Sequence, residues 1–143
     1  MDDDRVLVEV LAEREGVSWV VDEVAALVAE HEPAATVVDG AGQSATLIAP
    51  LEKAGVEVTR TGPAEMAAAC GGFHDSVLER TLVHLGQGDL DAAVEGSKQR
   101  TLGDAWAWSR RSSRTNVAPL VAVTLAHWGV IVHGDVPALS YVF

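Results

Sequence analysis

A single cysteine, Cys70, leaves the chain no internal disulfide, and its place beside Ala67 to Ala69 on an apolar stretch marks it as a small core residue. Long apolar runs are also missing. The longest wholly apolar stretches span only a handful of residues, far below the roughly 20 that cross a bilayer, so a soluble protein with no membrane partner is expected. The opening Met1-Asp2-Asp3-Asp4 is acidic where a secretory leader needs a positive segment and an apolar stretch, which points to the cytoplasm. Histidines 31, 74, 84, 127 and 133 lack the paired spacing of a zinc site. Repeats, low-complexity blocks and linkers are absent too, so the 143 residues read as one domain.

Basic residues are scarce: 10 Lys and Arg face 21 Asp and Glu, for a net charge of -11 that disfavours diffuse nucleic-acid binding. Their distribution is uneven. Five of the 10, namely Lys98, Arg100, Arg110, Arg111 and Arg114, fall between positions 98 and 114, where Asp104 is the sole acid. That segment has the charge to face a phosphate backbone, or to be a solvated basic strand and loop. Apolar residues make up 48% of the chain, ample for a packed core.

The pattern along the chain is that of an α/β domain. Arg5 to Glu13 reads as a strand. Ser18 is placed to cap a helix whose apolar residues Val20, Val21, Val24, Leu27 and Val28 recur at three- and four-residue spacing up to Pro33. Ala35 to Val38 is a short apolar strand buried on both faces, Ser44 to Ala54 a short helix bent at Pro50 and stopped by Gly55, and Val56 to Thr59 a further strand. Strands and helices in this order imply a parallel arrangement with crossovers. Next come a helix over Glu65 to Leu82, with Gly71-Gly72 as a kink, a short strand or helix exit at Leu82 to His84, and a helix over Asp89 to Lys98. Leu102 to Arg111 alternates as a strand, and Ala118 to Trp128 is an apolar helix that Gly129 ends. Residues 130–143 are a short extra strand or a loose tail.

Three constellations bear on chemistry. Asp39 follows the apolar strand directly, at the strand end where open α/β sheets place their sites, and a carboxylate there is costly unless compensated. Gly40-Ala41-Gly42-Gln43-Ser44-Ala45 is a G-x-G-x-x-A turn with Arg60 some 20 positions on, the spacing by which an NADP site holds pyrophosphate and 2′-phosphate; a plain tight turn explains it equally, and Asp39 would repel the pyrophosphate. Thirdly, two-metal phosphodiester hydrolysis needs about three converging carboxylates, for which Asp39, Asp104 and Asp75 are the candidates. Asp75 is equally explained as a cap or a solvated surface group. Trp106 and Trp108, two apart, share one side of a strand and form either a buried sheet face or a stacking platform for bases.

Taken in order, the stretches VVDGAG, EMAAACGGFHDSV, LVHLG, DAAVEGSKQR, GDAWAWSRR and VAPLVAVTLAHWG resemble the C-terminal nuclease domain of tailed-phage terminase large subunits, especially from phages and prophages of high-GC Gram-positive bacteria. The resemblance covers roughly Val6 to Gly129. It implies an RNase H-like mixed sheet flanked by helices and a Mg²⁺- or Mn²⁺-dependent endonuclease that cuts double-stranded DNA during packaging. The implied partners are the terminase ATPase domain, the small terminase subunit and the portal, in the host cell. Asp39 matches the family's strand-end acid. The family's first strand, with its metal-binding Asp, has no counterpart here, so the domain reads as N-terminally truncated. Val117-Ala118-Pro119 stands where an Ile-Asp-Pro-like context is usual, and Ala118 cannot bind metal; Asp104 is the substitute candidate. The resemblance thus implies a weak or inactive nuclease. The alternatives are a non-catalytic DNA- or protein-binding module of prophage origin and an NADP-binding α/β domain.

Overall fold

A computed structural model describes residues 5–12, 18–41, 43–84, 86–102, 104–109, 117–133 and 140–142. The centre of the fold is β2 (Ala35–Asp39), buried at every position as a strand covered on both faces must be. Its side chains alternate. Ala35 and Val37 pack with Met66, Ala69, Cys70, Val121 and Leu125 on one side. Val38 joins Val20, Val24, Ile48 and Leu51 on the other. Two cores therefore meet across a single strand.

The second core is built by α1 (Val20–His31) and α2 (Ile48–Lys53). The cap of α1 is Trp19 rather than Ser18, and no side chain bonds to the first turn; Asp22 and Glu23 there complement the helix dipole instead. Pro50 does not bend a longer helix. A 3₁₀ turn over Gln43–Leu47 precedes α2, and Pro50 lies in the first turn of α2, where its missing N–H has no partner to lose. The strand that follows, β3 (Thr59–Thr61), begins later than the apolar run and pairs in parallel with β2, Asp39 opposite Thr61.

Across β2 lies α3 (Pro63–Glu79), opened by Pro63 and by Glu65, whose carboxylate accepts the Gly62 N–H at 3.0 Å. This helix runs through Gly71-Gly72 without a break. Packed against it is α5 (Ala118–His133), predominantly apolar and buried at most positions from Pro119 through Gly129. Gly129 does not end α5, because packing and the continuing run Val130 to Val132 outweigh glycine's helix penalty of about 1 kcal/mol. Beyond it, β7 (Ser140–Val142) pairs in parallel with β2 from Ala35 to Val37.

The remaining strands form separate small sheets. β1 is shorter than its apolar run, Val6–Val8, and pairs in parallel with β4 (Leu82–His84). The Gln87 side chain extends this pairing by one rung, its Oε1 accepting the Val10 N–H at 2.7 Å and its Nε2 donating to the Val10 carbonyl at 2.8 Å. Gln87 immediately precedes α4 (Gly88–Gly96). The expected single strand from Leu102 to Arg111 is instead an antiparallel hairpin of β5 (Gln99–Leu102) and β6 (Ala105–Trp108), with Leu102 opposite Ala105. The Gly103-Asp104 pair between two alternating runs is the two-residue hairpin signal that explains it. The fold is mixed α/β, with strands distributed over three sheets rather than one continuous parallel sheet.

Candidate functional site

Backbone pairing carries Asp39 to the C-terminal end of β2, where its side chain shares a face with Val37 and with Thr61 of the neighbouring strand. The residue is 8% exposed. Its Oδ1 accepts the Ala41 N–H at 3.0 Å, closing the turn that leaves the strand. The next residue is held close: the Gly40 N–H donates to the Thr61 carbonyl at 2.8 Å, and a Cβ at Gly40 would lie 2.9 Å from that oxygen. Glycine is required here by proximity to β3. The Thr61 hydroxyl is buried and has no hydrogen-bond partner among the described residues.

Cys70, fully buried on α3, senses this corner. Burial pushes its thiol up to about 11, against the Trp108 backbone hydrogen bond and the Arg100 charge, which lower it, while the Asp39 charge adds to the rise. The thiol is therefore protonated and inert at neutral pH, as a core residue should be. Arg100 and Asp39 act on the same sulfur with opposite sign.

The other acids lie elsewhere. Asp75 is exposed on α3, and Asp104 is exposed in the β5–β6 turn, off the strand that was expected to carry it. Among the described residues, no three Asp, Glu, His or Cys side chains are grouped so as to hold a metal ion. Two divalent cations about 4 Å apart call for more carboxylates than Asp39 alone provides, so the described residues do not fit a two-metal centre. Of the basic cluster, Lys98 and Arg100 are exposed at the start of the hairpin, whereas Arg110, Arg111 and Arg114 lie outside the described residues.

The glycine turn is poorly suited to a dinucleotide. Its Ala41 amide, which would face a pyrophosphate, donates to the Asp39 carboxylate, and the turn opens a 3₁₀ segment rather than a long helix. Arg60 is engaged by Glu52 at 2.9 Å. Trp106 and Trp108 pack against the core. They meet edge to face with centroids 4.9 Å apart, and the Trp108 indole donates to the Thr124 hydroxyl on α5 at 3.0 Å. The two rings form a half-buried sheet face turned to the core rather than an open platform for bases.

Two features were not read from the sequence. Ser76 on α3 and the buried His127 on α5 are joined at 2.9 Å, with Phe73 set edge-on to the imidazole. Residues 51 positions apart give no spacing signal. The second is a groove of about 500 Å³ between α3 and α4, floored by Phe73, Leu82, Leu90 and Leu120.

No protein-family model, curated protein or solved structure matches the chain. Its own geometry therefore carries the functional reading. The described helices include none long and apolar enough to cross a membrane.

Proposed function

We propose that this chain is a relative of the nuclease domain of phage terminase large subunits, RNase H-like in descent, that cuts DNA weakly or not at all on its own. The observation that carries this reading is the buried Asp39 carboxylate at the C-terminal end of a central parallel strand, which belongs to no metal-holding group of three or more Asp, Glu, His or Cys among the described residues. The strand-end position is where chemistry sits in α/β sheets. Without such a group, most of what neutralises charge on a phosphate in the transition state is missing.

In this reading double-stranded DNA lies along the hairpin, where Lys98 and Arg100 meet the backbone together with Arg110, Arg111 and Arg114. The ATPase domain, the small terminase subunit and the portal are the protein partners, Mg²⁺ or Mn²⁺ is the metal of the intact family site, and the host cytoplasm is the location. Asp104 and Asp75 keep a role only if the chain rearranges to bring them to Asp39.

The test is incubation of purified protein with supercoiled plasmid in Mn²⁺, beside an EDTA control and the Asp39→Ala variant. Expected is slow nicking or none, any nicking being lost both with EDTA and with Asp39→Ala. Rapid cleavage that survives Asp39→Ala sinks the proposal. A second reading, a non-catalytic binding module, is favoured by β1, which pairs only with β4 among the described residues and exposes Leu7. It predicts salt-sensitive DNA binding without cutting when Lys98 and Arg100 are responsible.

A further inference from the structure

The groove between α3 and α4 stands apart from the Asp39 corner and is independent of the nuclease reading. Its floor is apolar, with Phe73 and Leu120 buried beneath and Trp108 at one end. Its two lips are apolar as well: Val77 on α3 is 49% exposed and Val94 on α4 is 50% exposed. A volume of about 500 Å³ falls within the range of specific binding clefts.

Charge selects the occupant. Asp91 and Glu95 line the α4 bank four residues apart, hence on one face of that helix, and both are exposed. Neither forms an ion pair with any described residue, although Arg80 lines the same groove. A partner with Lys or Arg along one edge of an apolar stripe would pair with both acids while covering Val77 and Val94. The walls are two helices, and a third laid between them matches ridges and grooves. A second copy of this chain is disfavoured because each carries a net charge of -11.

We propose that the α3–α4 groove receives an amphipathic helix of a basic partner protein, its aliphatic stripe on Val77, Leu90 and Val94 and its cationic edge on Asp91 and Glu95. The partner's apolar side chains supply most of the contact area; the acids fix its orientation.

The probe is a fluorescent model peptide of about 18 residues, long enough to hold a helix, with Leu at i, i+3, i+4 and i+7 and Lys on the flanking positions. Its counterpart carries Glu in place of Lys. Anisotropy titrations use the wild-type chain, Val94→Asp, the double reversal Asp91→Lys with Glu95→Lys, and a remote reversal, Glu30→Lys with Glu57→Lys. All the substituted positions are exposed, and circular dichroism checks that each variant is folded. Expected is saturable binding of the Lys peptide alone, weakened about tenfold or more by Val94→Asp and by the local reversal, and little changed by the remote one. The proposal fails if neither peptide binds or if both bind alike. It fails equally if the remote reversal weakens binding as much as the local one, or if Val94→Asp leaves it intact. Self-association of the free protein that Val94→Asp abolishes would assign the groove to a second copy and overturn it as well.

Discussion

Two residues test this fold most directly. Gly40, although solvent-exposed, would set a Cβ 2.9 Å from the Thr61 carbonyl, which is backbone and cannot swing aside, and 3.3 Å from the Arg60 Cβ. Gly40→Ala should destabilise the protein by about 1–3 kcal/mol, read as a lower urea midpoint with an unchanged slope. His127 is the second. Burial holds its imidazole below the ordinary value of 6.5, so the unfolded chain binds the proton more readily than the folded one. Stability is then fully present above about pH 6.5 and falls as the pH drops below it towards the folded-state value. The urea midpoint should decline over that range in wild type and more shallowly in His127→Gln. A slope of equal steepness in the variant would assign the loss to other groups. Asp39 was legible in the sequence because an acid ending an apolar run is conspicuous. The Ser76–His127 bond was not, since it forms only when α3 and α5 pack.

At the scale of elements, α3 holds an unused margin. Gly71 and Gly72 sit in mid-helix with nothing within 4 Å of where a Cβ would stand, so neither serves close packing. Gly71→Ala and Gly72→Ala should each raise stability by about 0.5–1 kcal/mol, seen as a higher melting temperature with unchanged circular dichroism. A drop would mean that the helix needs its glycines for a contact absent from the folded monomer. The elements that periodicity marks clearly, α1, β2 and α3, lie close to where the pattern put them. Those set by pairing did not. The β5–β6 hairpin looked like one strand because Leu102, Asp104, Trp106 and Trp108 alternate across the turn, and the alternation hid the Gly103-Asp104 turn pair. Asp104 moved from strand to turn with it, and so out of line with Asp39. Helix ends shifted for a similar reason: Gly129 signals a stop, but an apolar helix is held by its neighbours.

For the whole molecule the decisive element is α5, which touches β1, β2, β7, α3 and α4. Among the described residues, three small sheets share no hydrogen-bonded ladder with one another, so they are joined largely through this helix and α3. Leu125, fully buried in the core beneath β2, should cost about 2–5 kcal/mol on Leu125→Ala. The sheets should then melt together, with fluorescence and far-ultraviolet circular dichroism giving coincident transitions; separate transitions would show that they are independent units. The acidic balance was plain in the composition, but its local use along the α3–α4 groove was not, because Arg80, Asp91 and Glu95 come together only in the folded chain.

The hydrogen bond from the Trp108 indole to Thr124 has one more consequence. It ties a chromophore on the hairpin to the helix that supports the sheets, so loosening of α5 admits water to the indole and shifts its emission to the red. The protein thus carries a built-in optical gauge of its own assembly. With Trp19, Trp106 and Trp128 replaced by Phe, seating of α5 can be followed in real time without attaching a label.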